Sequence, residues 1–270
     1  MPKKILGIIA GNGKFPIGFA KKAKLKGYKV IAAGIKGDTS FLLRFFVDKY
    51  ESFSVGDLKR LFEYFKVNNV AQAVMAGQVN PNNLFRGDVV FDDDLRELFD
   101  AVKDRKADTI FRAITKKLEE KGIKLLDSTF LIKDNLASQG VLTQRKPTEI
   151  ELADIDFGKE IAKLMGGIDV GQTVVIKEKA IVAIEAMEGT DRAIQRGGTI
   201  AQGNAVVVKM SKPNQDFRFD VPVIGPKTIR TMIKVKAGCL AIEAQKTLII
   251  DPIQVIKLAD QANISIVVIP

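Results

Sequence analysis

Between Ile184 and Ile194 the chain reads IEAMEGTDRAI, which gathers Glu185, Glu188 and Asp191 within seven residues around a turn at Gly189-Thr190. Carboxylates at this spacing suit a hard cation such as Mg²⁺, which takes oxygen ligands, or the diol of a ribose. They also have a structural use: Thr190 is a natural N-cap, and Asp191 favours the positive end of a helix. A second acidic stretch, SKPNQDFRFDVPVIGP from Ser211 to Pro226, sets Asp216 and Asp220 on either side of an extended FRF, with Lys212 able to balance phosphate charge. Asp220 leads into the VPVIGP turn. A carboxylate on a backbone fixed in advance can ligate a metal or align water.

Two glycine turns could hold the phosphates or the nucleoside. In AGNGKFP, Ala10, Gly11, Asn12 and Gly13 join a hydrophobic run to an amphipathic, lysine-rich one. The free amides and positive dipole of a following helix would favour an anion there. The dinucleotide fingerprint needs another glycine where Pro16 stands, and an acid after the second strand, where Gly34-Ile35-Lys36 stands. A mononucleotide or sugar-phosphate site is therefore expected, with a plain tight turn as the structural alternative. MAGQVNP supplies Gly77, Gln78, Val79 and Asn80, which would reach a base or ribose if this strand lies beside the first. In DRKADTIFRA, Lys106 could meet a phosphate, while Asp108 suits a helix cap.

Composition narrows the chemistry. The 270 residues include no histidine and one cysteine, Cys239. Imidazole bases, Ser-His-Asp triads, Cys-His pairs, imidazole metal sites, internal disulfides and CxxC redox centres are all excluded. Carboxylates, lysines, hydroxyls, backbone amides and an oxygen-bound metal remain. The net charge is +10, from 42 Lys plus Arg against 32 Asp plus Glu. Such a surface attracts anions, but the basic residues are scattered and not interleaved with aromatics, so no nucleic-acid partner is expected. Apolar runs such as ISIVVIP fall far short of the roughly 20 residues that span a bilayer. A cytoplasmic location is expected, with peripheral contact at the inner membrane face.

The elements that must position these residues follow from apolar spacing. Strands are expected at KKILGIIA, YKVIAAGI, NNVAQAVMAG and IKLLDS, and helices over 16–26, 53–65, 92–102 and 107–121. This alternation gives an α/β fold with a Rossmann-like, parallel-sheet N-terminal domain over residues 1–130. The mixed polar stretch 131–149 is expected as a linker. A distinct α+β C-terminal domain, 150–270, opens with a helix near 155–165 and continues with a hairpin in TVVIKEKAIVAIEA. VAIEA at 182–186 and LAIEA at 240–244 read as two strands of one mixed sheet.

Taken in order, AGNG followed by Pro, AGQVNP, DRKADT, DVGQTVV, AIEAMEGTD, KPNQDFRFDVPVIG and GCLAIEAQKTLIID resemble the UDP-2,3-diacylglucosamine pyrophosphatases of the LpxI type almost end to end. The resemblance implies cleavage of UDP-2,3-diacylglucosamine to UMP and 2,3-diacylglucosamine 1-phosphate (lipid X), with Mg²⁺, during lipid A synthesis. It also implies that Asp220 matches the family's essential aspartate. Asp220 would hold Mg²⁺ or orient water, with Glu188 or Asp191 as further metal contacts. Lys212 and the Gly11–Gly13 amides would bind phosphate or nucleoside. Gly77–Asn80 and Gln172 would complete the UDP site, and Gly189-Thr190 would hold the hinge side. A nucleotide-sugar transferase and a non-catalytic nucleotide-binding regulator stay open as alternatives, as does monomer or dimer.

Overall fold

The computed structural model describes residues 3–79, 90–104 and 106–270. The chain divides into two units: Met1–Ile132 with Asp216–Asp220, and Lys133–Gln215 with Val221–Pro270.

In the first unit, β1 (Ile5–Ala10), β2 (Lys29–Ile35), β3 (Lys49–Phe53), β4 (Gln72–Ala76) and β5 (Lys124–Leu125) form one parallel sheet in the order β3-β2-β1-β4-β5. The described helices are α1 (Phe15–Leu25), α2 (Leu58–Val67), α3 (Asp93–Ala101) and α4 (Ala107–Glu120), and a 3₁₀ segment covers Phe41–Phe46. Pro16 lies in the first turn of α1, where its missing amide costs nothing. The spacing of Leu58, Leu61, Phe62 and Phe65 buries one stripe of α2, as the periodicity requires. Connections leave β1 and β4 in opposite directions across the sheet. The loops after these two strands therefore flank the crevice where ligands bind in such sheets. The strand missing from the sequence reading is β3: KYESF is half polar because it lies at the sheet edge.

The second unit holds β6 (Gly140–Val141), α5 (Glu149–Gly167), β7 (Thr173–Lys177), β8 (Ala180–Ile184), α6 (Thr190–Ala201), β9 (Val206–Lys209), β10 (Val223–Ile224), α7 (Pro226–Lys234), β11 (Cys239–Glu243), β12 (Leu248–Ile249), α8 (Pro252–Gln261) and β13 (Ser265–Ile269). Six strands pair in the order β6-β13-β11-β9-β7-β8. The three central ones are parallel and the outer pairings antiparallel, so the sheet is mixed, and it takes Val182–Ile184 of VAIEA and Leu240–Glu243 of LAIEA. Period-two alternation divides the core. Val174, Ile176, Val206, Val208 and Ala241 pack with Ile155 and Ala162 of α5. Val175, Val207, Leu240, Ile242 and Ile266 pack with Ile194, Ile229, Met232 and Val255 of the other helices.

The stretch read as a linker, 131–149, is tied down in the structure. Its β6 pairs with β13, and Arg145 bonds both Glu151 oxygens at 2.8 Å and the Asn263 carbonyl at 2.7 Å. β13 and Asn263 lie far along the sequence, so local pattern does not reveal them. Helix α5 likewise starts at Glu149 rather than Ile155, because Thr148 and Glu151 close a capping box. Among the described residues no helix is long and apolar enough to cross a membrane. Replacing Thr148 by Ala removes the bond to the Glu151 amide, and urea unfolding should register a loss of about 1 kcal/mol.

Candidate functional site

The two glycine turns meet at the carboxyl ends of β1 and β4. The Gly11 amide donates to the Ala76 carbonyl at 2.8 Å, the Asn12 amide to Gln78 at 2.7 Å, and the Gln78 amide returns to Asn12 at 3.3 Å. This zipper accounts for two of the glycines. A Cβ on Gly11 would lie 2.5 Å from the Gln78 carbonyl oxygen, and one on Gly77, at φ +88°, would strike the Asn12 carbonyl. Gly13 differs, with φ +94° and open space where a Cβ would stand, at the entry to α1. Of the three, it is the one whose backbone a ligand can approach. Ala10 ends β1, buried, and its carbonyl accepts from the Thr39 hydroxyl. Asn12 and Gln78 are exposed and Val79 half-buried; Asn80 lies outside the described residues.

Asp220 is carried by the same unit. Residues 216–220 form a strap that packs on it although they come from the later part of the chain. The Phe219 ring stacks on Phe111 of α4 at 5.6 Å and 20°, and Arg112 lies over the same ring. Arg218 grips Asp216 at 3.0 and 2.9 Å and reaches Glu119 at 3.2 Å, while Arg112 stands 3.7 Å from Asp216. The Ser128 amide donates to the Phe217 carbonyl at 2.9 Å. The buried Ser128 hydroxyl lies 2.5 Å from the Met75 carbonyl and 2.8 Å from that of Arg218. Met75 precedes Ala76-Gly77, so one side chain ties the glycine turn after β4 to the strap. The Asp220 amide donates to the Asp216 carbonyl at 2.9 Å, which closes the turn at the end of the strap. Burial favours the protonated form of Asp216, but Arg218, the Arg218 amide and Arg112 outweigh it and hold the carboxyl below its ordinary value.

The IEAMEGTDRAI residues lie in the second unit. Gly189, at φ +82°, is the N-cap of α6, and Thr190 is its first helical residue rather than the cap. Thr190 is free for another bond: its hydroxyl donates to Glu185 at 2.9 Å and accepts from Lys209 at 2.8 Å. Lys209, unnoticed in the sequence, ends the central strand β9 with its ammonium buried beside Thr173 at 3.5 Å and Glu185 at 3.9 Å. A lysine closing a valine run is the signal that could have found it. Glu188 is held by Arg196 at 2.6 Å and by the Ala186 amide at 3.0 Å, and Asp191 by Lys227 at 2.9 Å. Burial opposes the Glu188 charge, yet Arg196 and the turn amides keep its carboxyl below the usual range. Lys212 bonds Asp169 at 2.6 Å, and the Gln172 carbonyl accepts from the Met210 amide at 3.0 Å. Burial pushes the Cys239 thiol up to about 12, which makes it inert.

Family models for the LpxI N-terminal and C-terminal domains match residues 5–135 and 138–267. The chain belongs to the LpxI family. Among curated proteins it is similar to the UDP-2,3-diacylglucosamine pyrophosphatase LpxI of Caulobacter vibrioides, with 27% identity over 96% of this chain and 95% of that one. Solved structures resemble it only remotely. An ADP complex of N5-carboxyaminoimidazole ribonucleotide synthetase matches at TM-score 0.29 and 16% identity, over 65% of this chain and 32% of that chain. Phosphoribosylglycinamide synthetase from Anaerococcus prevotii matches at 0.28 and 15%, over 72% and 41%. Membership of the LpxI family carries the enzyme class, a hydrolase.

Of the three expected Mg²⁺ contacts, Asp220 is carried by the first unit and Glu188 and Asp191 by the second. Among the described residues no three acidic, histidine or cysteine side chains gather around a possible metal position. Glu188 and Asp191 each face a cation instead. An ion bound here would take most of its ligands from phosphate oxygens and water rather than from these paired side chains.

Two measurements probe these arrangements. Lys209→Met leaves Glu185 buried without its counter-charge and should cost about 3 kcal/mol in denaturant unfolding, whereas adding Glu185→Gln should restore roughly half. Asp216 ionises more readily in the folded state, so its stabilisation is complete above the ordinary Asp value near ~4 and fades as pH falls through the lower folded value. Asp216→Asn should therefore lower stability by about 1 kcal/mol at neutral pH. Thermal melts should show that deficit closing on acidification.

Proposed function

We propose that this LpxI protein hydrolyses the pyrophosphate of UDP-2,3-diacylglucosamine to UMP and 2,3-diacylglucosamine 1-phosphate (lipid X), in lipid A biosynthesis, at the cytoplasmic face of a membrane. Family membership and the name of the Caulobacter relative support the reading. The observation that carries it within the structure is the strap: Asp220 belongs to the same packed unit as the glycine turns, and Ser128 ties it to the turn after β4.

In this mechanism the open backbone at Gly13 and the α1 amides bind a phosphate, while Asn12, Gly77, Gln78 and Val79, together with Asn80, take the uridine. Asp220 orients a water molecule and accepts its proton. The water oxygen bonds to one phosphorus, the bond from that phosphorus to the bridging oxygen breaks, and the bridging oxygen departs on the other phosphate. Mg²⁺, when bound, would offset charge on the non-bridging oxygens; it prefers phosphate oxygens with one or two carboxylates, of which Asp220 is the proposed one. Gln172, Gly189, Thr190 and Lys212 are proposed to serve the sugar-phosphate side, Lys212 after exchanging Asp169 for phosphate.

The test is product analysis of purified protein with UDP-2,3-diacylglucosamine and no acceptor. UMP and lipid X should appear in equal amounts and cease on chelation with EDTA. Asp220→Ala should lower turnover by at least about a thousandfold while the lipid nucleotide still binds, since a lost water-orienting group affects the transition state more than the ground state. Near-normal turnover by that variant removes Asp220 from the mechanism. A requirement for an acceptor favours a transferase, and binding without turnover favours a regulator.

A further inference from the structure

We propose that the 3₁₀ segment Phe41–Phe46, with the adjoining face of α1, is a docking surface for an anionic lipid membrane. The sequence FLLRFF contains five apolar residues, one base and no acid. Leu43 is buried and anchors the segment, but Phe41, Leu42 and Phe45 are 61%, 55% and 68% exposed. Large apolar side chains clustered on one exposed turn are unusual in a water-facing surface and mark a place where something docks. Their arrangement is ordered: the Phe41 and Phe45 rings meet edge to face at 5.8 Å, and the Arg44 guanidinium lies 4.6 Å from the Phe41 centroid. Lys21 of α1 stands 4.5 Å from the Phe46 centroid, and Leu25, one helical turn further along the same face, is 84% exposed.

Charge decides the occupant. Aromatic and aliphatic tips beside lysine and arginine match the boundary between acyl chains and anionic headgroups. Asp48, the acid just beyond the segment, is already taken by Lys24 at 2.9 Å. A second copy of this chain would bring Arg44 and Lys21 against their own kind, in a protein of net charge +10. The location adds to the argument. Thr39, just before the segment, accepts from the Ile35 amide at 2.7 Å and donates to the Ala10 carbonyl, so the segment leaves the sheet at the end where the Gly11–Gly13 turn begins. The proposal deepens the reading given above, on which its biological sense rests: it names the surface at which a diacylated substrate would be met.

The test is flotation of the full chain with vesicles of phosphatidylethanolamine and phosphatidylglycerol, against vesicles of phosphatidylcholine alone. The protein should float with the anionic vesicles, less so as salt rises, and stay behind with the neutral ones. Arg44→Glu reverses one charge and should lower the partition coefficient about thirtyfold. The double change Phe41→Ser with Phe45→Ser should lower it by at least roughly tenfold. Lys257→Glu, the same charge reversal on exposed α8, should change it by less than about twofold. All variants should keep the wild-type melting profile and hydrolyse detergent-dispersed substrate at the wild-type rate. The proposal falls if the wild type does not float, if the variants float equally well, or if sedimentation reveals a wild-type dimer that the phenylalanine changes dissociate. Flotation without hydrolysis in detergent would instead sink the pyrophosphatase reading and leave the docking surface standing.

Discussion

One hydroxyl proton at Ser128 is shared between two carbonyl oxygens, those of Met75 and Arg218, and the geometry around Asp220 depends on that contact. A five-residue strap cannot fold alone. It acquires shape by being added to an existing core, here through the Phe219 ring on Phe111 and the Arg218 bridge to Glu119. Both carbonyls are main-chain groups, and a buried carbonyl left without a donor costs about 1–3 kcal/mol. Satisfying them from one buried side chain fixes the strap relative to β4 without relying on its solvent-facing residues. The backbone position of Asp220 is thereby set within the first unit, although the residue belongs in sequence to the second half.

A protein without histidine must obtain its reactive electrostatics from acids and bases that spend the resting state with each other. The pairs differ in how easily they can be exchanged. Lys227 is 85% exposed, so its bond to Asp191 is worth little and readily gives way to another partner. Lys212 and Asp169 are 14% and 17% exposed, and separating them needs an incoming anion that replaces the carboxylate at the same depth. Lys209 is deeper still and touches two threonine hydroxyls as well as Glu185, which suits a support for the Gly189-Thr190 turn better than a contact for substrate. The three cations that approach these acids therefore form a gradient, from an exchangeable surface pair to a fixed internal post.

Much of the fold was legible because its drivers are local or periodic. Strand β1, the α2 stripe and the β7–β8 hairpin each follow from apolar spacing and turn residues within one window. What escaped was specified at a distance. β3 is an edge strand with polar alternation, β6 exists only by pairing with β13, and the strap takes its place from Phe111 and Ser128. The candidate site divides in the same way. Residue types and their order pointed to Asp220 and the glycine turns, but type cannot reveal commitment, so Glu188 and Lys212 looked available when Arg196 and Asp169 already hold them. Thr190 was legible as a helix start and misplaced by one position, because a glycine at positive φ can cap through its backbone and release the threonine hydroxyl for Glu185.

The glycine turns show why a phosphate-loop pattern must be divided by what each missing Cβ would meet. At Gly11 and Gly77 it would meet the opposite turn's main chain, so these glycines exist to bring β1 and β4 loops within hydrogen-bonding distance. At Gly13 it would meet nothing, while the positive φ there still disfavours other residues. The first two join the turns to each other, and the third lies open at the entry to α1. A third glycine in place of Pro16 would serve close helix-to-sheet packing in a dinucleotide fold. Here Pro16 itself packs in the first turn of α1, with its ring 3.0 Å from where a Gly77 Cβ would stand. The departure from the dinucleotide pattern is thus a different solution to the same packing problem: the proline fills the space that a glycine would have left for the strand. It keeps the start of α1 and the turn after β4 in contact, just beyond the open position at Gly13.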